Sequence, residues 1–242
     1  MRDYDEIVRR VEALADEVQT RVLGEAEGYP IFGIARGVGE GLPTAFLTGG
    51  VHGDGPAGVE ALLRFLEREP EAWLGRLFFE TVVCVNLYGW VHNTRHNAQD
   101  LDLNWSYARD DVVEVQVIKD LARDRRFAFV VDCHEDWESP GFYLYELRRD
   151  GVGIAEEIAR RVAEICPLNE SAEIEGQLAR GGVVYPDISL EEKLRGRGIP
   201  LELYHGHTDH LLTAETPTGL AMEMRVAAQL AVLDLVIAEH LK

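Results

Sequence analysis

Strand-like and helix-like segments alternate along the first half of this 242-residue chain. The strand-like segments are short apolar runs, and the helix-like ones carry apolar residues at intervals of three and four. In chain order they are a strand at 45–48, a helix from Pro56, a strand at 77–87, a helix at 113–121 and a strand at 127–131. Such alternation is typical of a sheet with helices on its faces. We therefore predict an α/β fold, a three-layer α/β/α sandwich with a mixed, mostly parallel sheet.

The remaining elements are predicted from the same two spacings. A helical stripe covers 7–18 and a short strand 31–34, while the second half holds a strand at 142–147, a helix at 154–165, a strand at 211–214 and a last helix from about Leu220. The stretch 169–194 is polar and mixed, so no element is assigned to it. No repeat, low-complexity tract or linker interrupts the chain, which predicts a single domain over residues 1–242.

Charge and cysteine content limit the classes of partner. The 43 acidic residues outnumber the 24 basic ones, for a net charge of −19, which disfavours binding to nucleic acid or to an anionic membrane. No apolar run approaches the roughly 20 residues that span a bilayer, and the start of the chain does not look like a secretory signal. Cys84, Cys133 and Cys166 are far apart and odd in number, as expected for reduced thiols. These features predict a soluble, cytoplasmic protein and do not indicate its oligomeric state.

A histidine stands in the turn between the first strong strand and its helix. Strand 45–48 ends at Gly49-Gly50, Pro56 suits the first position of a helix, and His52 lies between them. Open α/β sheets bind ligands at the carboxyl ends of their strands. His52 is therefore a candidate metal ligand.

A second histidine follows the strand at 127–131. Asp132 and His134 are two residues apart and point to the same face of a strand, so the carboxylate could orient the imidazole or lie close to its metal. The alternative is a hydrogen-bonded histidine at a sheet edge. The polar end of this apolar strand favours the functional interpretation.

Two further segments carry groups suited to catalysis. Arg95 stands in a loop rich in Asn and Asp, and its planar guanidinium suits a developing oxyanion. Glu215 ends the strand at 211–214 before Pro217, where a carboxylate near a metal can take a proton from water. Each has an ordinary alternative, since such loops often only cap turns and a glutamate at a turn is often a surface residue.

Taken in order, these segments resemble the zinc carboxypeptidase superfamily, near its succinylglutamate desuccinylase/aspartoacylase branch and the short bacterial murein-peptide amidases. The resemblance runs roughly from Thr44 to His240. The matching pieces are Gly49-Gly50-Val51-His52-Gly53, Asn86-Leu87-Tyr88-Gly89, Arg95 with Asp102-Leu103-Asn104, then His134 and Glu215.

The resemblance implies a zinc-dependent hydrolase that cleaves an amide bond in a small peptide or an N-acyl amino acid. His52 and His134 would ligate one zinc ion, and Arg95 would polarise the scissile carbonyl. Glu215 would act as the general base on the metal-activated water, and Asn104 would contact the substrate.

One departure from the family pattern concerns the third metal ligand. The glutamate expected three residues after the first histidine is Gly55 here. Asp54 is the nearest substitute, although an acidic residue at a helix start is also favoured by the helix dipole alone. Glu60 should point away from His52 inside the helix. Glu135 and Asp136, beside His134, are further possible oxygen donors.

The other departure concerns the substrate. Trp105 stands where the family has an arginine that grips a substrate carboxylate, and an indole cannot make that bidentate contact. Arg225 is a candidate replacement. Without one, the flat apolar wall of Trp105 suits an aromatic, acyl or neutral amide substrate.

Two alternatives to a one-zinc hydrolase stay open. The loss of a ligand and of a substrate clamp is also what a catalytically impaired small-ligand-binding protein would show. A two-metal hydrolase is the other, because His205, His207 and His210 precede Glu215 closely and could hold a second ion. Incidental histidines in a solvated loop are the simpler explanation of that cluster.

Overall fold

The structure is a computed structural model that describes residues 2–14, 18–68, 73–149, 151–189 and 198–242. Its strands are β1 (Gln19–Ala26), β2 (Tyr29–Arg36), β3 (Thr44–Gly49), β4 (Phe78–Val82), β5 (Phe129–Asp136), β6 (Tyr143–Arg148), β7 (Glu173–Ile174), β8 (Gln177–Arg180), β9 (Val183–Tyr185) and β10 (His210–Pro217). The helices of these segments are α1 (Tyr4–Ala13), α2 (Pro56–Leu66), α3 (Leu87–His92), α4 (Val113–Ala122), α5 (Ala155–Val162), α6 (Ile199–Gly206) and α7 (Met222–His240), with a 3₁₀ turn at Leu103–Trp105.

All ten strands join one mixed sheet in the order β1-β2-β4-β3-β5-β10-β6-β9-β8-β7. The four central strands, β4, β3, β5 and β10, run parallel to one another. Antiparallel pairs flank them on both sides, β2 with β4 and β6 with β10. The predicted α/β class with a mixed sheet is confirmed, with four of the nine neighbouring pairs among the described strands parallel, three of them in the centre and the fourth between β6 and β9.

The chain changes direction across the sheet at β3. From β3 it crosses through α2 to β4 on one side, and then through α4 to β5 on the other side of β3. Because parallel crossovers are right-handed, opposite directions place α2 and α4 on opposite faces. The carboxyl ends of β3 and β5 therefore flank a crevice of the kind in which open sheets bind ligands.

Helix α2 packs so tightly on the sheet that a side chain cannot be added at its contact point. A Cβ on Gly58 would lie 2.6 Å from the carbonyl oxygen of Cys133 on β5. Helices α5 and α7 cover the same face as α2, in contact with each other, while α7 also contacts α2. This packing fixes β5 relative to the turn that precedes α2.

The structure differs from the predicted strand at 77–87. Strand β4 ends at Val82, because the following backbone turns toward β3, where the N–H groups of Val85 and Asn86 donate to the carbonyls of Gly49 and Gly50. The side chain of Asn86 then caps α3 by accepting from the Gly89 N–H. The apolar run predicts one strand because both parts of it are buried.

Strands β1 and β7 to β9 were not predicted. β1 is mostly exposed, and β7 to β9 are short, so none of these four strands shows a strong apolar alternation. The predicted stripe at 7–18 corresponds to α1, which ends at Ala13. Residues 15–17 of the stripe lie outside the described residues, and so do residues 190–194 of the unassigned stretch.

Cys84, Cys133 and Cys166 are buried free thiols, as predicted. Among the described helices, none combines the length and the apolar character needed to cross a membrane.

Candidate active site

The turn that carries His52 is held against α3 by close backbone contact. A Cβ on Gly53 would lie 1.9 Å from the carbonyl carbon of Gly89, so only glycine fits at this position. Arg2 reinforces the contact, since its guanidinium donates to the carbonyl oxygens of Gly53 at 2.7 Å and Trp90 at 2.8 Å. His52 is therefore placed by a rigid turn, and it is buried.

Replacing Gly53 with alanine is expected to lower the free energy of unfolding by about 1–3 kcal/mol, the usual cost of forcing extra atoms into a packed contact. The clash is with backbone, which cannot rotate away. Gly219→Ala is the control, since a Cβ there meets nothing within 4 Å. Chemical denaturation of both variants measures the difference, and equal stability of the two would contradict the tight contact at Gly53.

His52 and His134 face each other at the carboxyl ends of β3 and β5. Their ring centroids are 5.0 Å apart, with the ring planes at 80°. Nε2 of His52 lies 2.9 Å from an oxygen of Asp102, and Nε2 of His134 lies 2.8 Å from an oxygen of Asp132. A carboxylate thus holds the same nitrogen in each ring and leaves Nδ1 for another partner.

The two histidines differ in their electrostatic surroundings. Burial lowers the pKa of His52, and the Asp102 carboxylate offsets this only in part. Burial would also lower the pKa of His134, but the charge and hydrogen bond of Asp132 outweigh it and raise the pKa to about 9. Asp132 is itself held in place by the Thr48 hydroxyl, which donates to it at 2.7 Å.

The pairing of β10 with β5 places Glu215 beside His134. The two residues are direct partners in the parallel register, and Oε1 of Glu215 lies 3.9 Å from Nδ1 of His134. The side chain of Glu215 is only 13% exposed. Burial raises the pKa of its carboxyl to about 8, against the opposing charge of His134. A carboxyl group with such a pKa can take up and release a proton near neutral pH.

Arg95 reaches the same place from the loop after α3. Its Nε and one terminal nitrogen lie 3.1 and 3.0 Å from Oδ2 of Asp102, whose other oxygen holds His52. Asp102 therefore orients both a histidine and an arginine. The residue type of Asp102 predicts no role for it, although its position in the Asp102-Leu103-Asn104 run is an available signal.

These residues line one pocket with a volume of about 290 Å³. Its lining consists of His52, Arg95, Asn104, Trp105, His134, Glu135, Asp136, Trp137, Glu138, Tyr143, Glu175 and Glu215. The structure thus brings together six of the predicted site residues, from segments far apart in sequence.

The predicted third ligand is not among them. Asp54 does not line this pocket. Its charge acts instead on Arg2: burial lowers the pKa of Arg2, and nearby carboxylates, Asp54 among them, offset part of that shift. Glu60 is bound by Arg10 and Arg64. In the part of the chain that the structure describes, no three His, Cys, Asp or Glu side chains are grouped so that they could hold a metal ion.

Glu135 occupies the space beside Gly55. A Cβ on Gly55 would lie 3.4 Å from Cβ of Glu135. The Glu135 carboxylate accepts from the Ala57 N–H at 2.6 Å, at the start of α2, and pairs with Arg225 at 2.6 Å. The Glu135 carboxylate is therefore bound to the first turn of α2. Its partner Arg225 does not line the pocket.

The histidine pair fits zinc at two coordination positions. Histidines that bind zinc usually have their second ring nitrogen bound to a carboxylate or carbonyl, the arrangement found for both His52 and His134. The third protein ligand is not preformed among the described side chains.

The candidate pocket shares Asn104, Trp105, Glu175 and Glu215 with a smaller side pocket of about 90 Å³. The side pocket has mainly apolar walls, which include Tyr145, Leu147, Pro186, Pro200, Leu201 and Leu211. Oδ1 of Asn104 is buried and has no hydrogen-bond partner among the described residues. A substrate N–H group could satisfy it.

His207 and His210, just before and at the start of β10, lie away from this site. His210 is at the opposite end of β10 from Glu215, about 16 Å away at the usual rise of a strand. It lies 2.8 Å from both Glu146 and His240, and Nδ1 of His207 lies 3.0 Å from the carbonyl of Arg125. None of His205, His207 and His210 lines the candidate pocket.

Comparisons with known proteins identify the fold. No family model and no curated protein matches the sequence. Among solved structures, a "putative metallopeptidase" of Shewanella baltica is similar with a TM-score of 0.84 at 20% identity, over 98% of this chain and 92% of that one. A second from Shewanella denitrificans gives 0.84 at 19%, over 98% and 90%. The carboxypeptidase A of Helicoverpa armigera gives 0.71 at 16%, over 99% of this chain and 73% of the other.

The chain therefore has the zinc carboxypeptidase-like fold, which confirms the expectation drawn from the order of its motifs. At these identities the likeness establishes the fold alone.

Proposed function

We propose that this protein is a zinc-dependent hydrolase that cleaves an amide bond in a small peptide or an N-acyl amino acid. One observation carries the proposal: His52, His134, Arg95 and Glu215 line a single pocket at the carboxyl ends of the central strands. They come from four separate segments, and every one of them has the side chain that the chemistry needs.

His52 and His134 would hold the metal through Nδ1, while Asp102 and Asp132 keep each ring in position. Zinc with an open coordination position lowers the pKa of a water molecule to about 7 and polarises a carbonyl group. We keep Asp54 as the proposed third ligand, although its carboxylate would have to turn toward the histidines.

Glu215 transfers the proton from water to the leaving amine. As a carboxylate it accepts a proton from the attacking water, and as an acid it returns that proton to the nitrogen of the leaving amine. Its carboxylate lies 3.9 Å from Nδ1 of His134 and lines the pocket, which places it to act in both roles.

Arg95 stabilises charge on the carbonyl oxygen. Two of its nitrogens are held by Asp102, which fixes the guanidinium at the pocket wall and leaves the rest of it free to donate. Donors that are already oriented stabilise a developing oxyanion without reorganisation during the reaction.

Asn104 and Trp105 would contact the substrate, and the side pocket behind them would take an apolar group. Trp105 replaces a clamp for a carboxylate, and Arg225 is bound to Glu135, so neither offers a cation to a free carboxyl terminus. This supports an amidase or deacylase specificity over strict carboxypeptidase specificity.

A direct test compares an N-acyl-leucine with its carboxamide as substrates of the purified protein. We expect hydrolysis that a chelator abolishes and that about one equivalent of zinc restores, with the carboxamide cleaved at least as fast. Full activity after chelation would contradict the proposal. Absence of hydrolysis together with much less than one equivalent of bound zinc would favour the small-ligand-binding protein instead, and two equivalents would favour a two-metal hydrolase.

A further inference from the structure

An exposed tryptophan stands at the mouth of the candidate pocket. Trp137 follows His134 by three residues and leaves 69% of its surface in solvent. It makes no ring contact with another described residue. Large aromatic side chains left in water next to a cavity are typical of binding surfaces, because their apolar area is stabilised only when a ligand covers it.

The loop that carries Trp137 is held in position. Asp136 accepts from the Glu138 N–H at 2.8 Å and from the hydroxyl of Tyr143 at 3.0 Å. Because Tyr143 is buried, these bonds tie the loop to the core. Trp137 and Glu138 are thus presented at a defined place beside the reacting groups.

The charge around Trp137 is negative. Asp136, Glu138 and Glu175 line the pocket with it, and Arg95, the one Arg or Lys side chain in the described lining, is paired with Asp102. The Glu138 carboxylate has no hydrogen bond or ion pair with a described residue. At the ring of Trp137 itself, the neighbouring carboxylates of Asp136 and Glu138 would repel an anionic group, and a cation would gain from both the carboxylates and the ring.

We propose that Trp137 and Glu138 bind a positively charged group of the substrate, an ammonium or a guanidinium, close to the scissile amide. The face of an indole ring attracts a cation, and the attraction increases when a carboxylate lies beside it. A neutral aromatic group would use the ring but leave the charge of Glu138 unused. This inference rests on the proposed function, and it adds a cationic group to the apolar one that the side pocket accepts.

The test uses two probes that differ only in charge, acetyl-arginyl-leucinamide and acetyl-citrullinyl-leucinamide. Binding is measured by calorimetry on the zinc-loaded Glu215→Gln variant, so that no turnover is needed. We expect the arginine peptide to bind about five- to tenfold more tightly at low salt, with the preference shrinking as salt is added. Equal affinity for the two probes would overturn the inference.

Variants assign the preference to the two side chains. Trp137→Ala and Glu138→Gln, each placed in the Glu215→Gln background, should each reduce the preference severalfold, and Trp137→Phe should keep part of it. Val152→Ala, which removes a side chain 86% exposed elsewhere, is the matched control and should leave it unchanged. A full preference in Trp137→Ala would likewise overturn the inference.

The outcome can be separated from that of the proposed function. A wild-type protein that hydrolyses neither peptide but still prefers arginine would retain the binding inference and reject the hydrolase. Hydrolysis of both peptides with equal kcat/KM would support the hydrolase and reject the binding inference.

Discussion

Replacing Glu215 with glutamine is expected to lower kcat for amide hydrolysis by about 10²–10⁴-fold, the usual contribution of a positioned general acid or base. Glutamine keeps the shape of the side chain but cannot take a proton from water. Because Glu215 lies on β10 in register with His134, the substitution should leave the fold and the histidine pair in place. Steady-state kinetics with the carboxamide substrate give kcat.

Glu170→Gln makes the same chemical change at an exposed position outside the pocket and serves as the control. Its kcat should match that of the wild type. A loss of less than tenfold in Glu215→Gln, with zinc content unchanged, would show that another group moves the proton.

Replacing His52 with alanine is expected to weaken zinc binding by at least about 100-fold. Loss of a residue that only orients a ligand already costs about 10–100-fold in metal affinity, and loss of the ligand itself should cost more. Asp102 keeps Arg95 as a partner, so the substitution does not leave an isolated charge. Competition with a chromophoric chelator measures the affinity without any activity assay.

His96→Ala is the matched control, since His96 is a half-exposed loop histidine bound to Asp100. It should bind zinc as the wild type does, and equal affinities for His52→Ala and His96→Ala would contradict the proposed ligand. The same titration on Asp54→Ala tests the third ligand: a loss comparable to that of His52→Ala would show that Asp54 turns toward the metal.

Much of the fold could be predicted because apolar spacing reports how a segment is buried. Strands β3 and β10 and helices α2, α4 and α7 were found in this way, since each buries a continuous run or one regular stripe. The exposed strand β1 and the short strands β7 to β9 lack such a pattern, and backbone pairing with neighbouring strands defines them instead.

The candidate site, like the fold, can be predicted from the sequence only in part. His52, His134, Arg95 and Glu215 could be selected from the sequence, because their motifs occur in a specific order and three of them stand at or near the ends of apolar strands. The part played by Trp137 could not, because a tryptophan after a strand is usually packed, and only the structure shows it exposed at the pocket mouth.

The sequence by itself determined the α/β class and the set of groups available for metal binding and proton transfer, since both follow from residue type and spacing along the chain. Only the tertiary structure decided which nitrogen of each histidine is left free, that Asp102 serves both His52 and Arg95, and that Glu135 takes the space beside Gly55 and binds Arg225. These are contacts between residues up to 90 positions apart. Their partners are chosen by the register of β3, β5 and β10 and by the packing of α2 and α7, which no local pattern records.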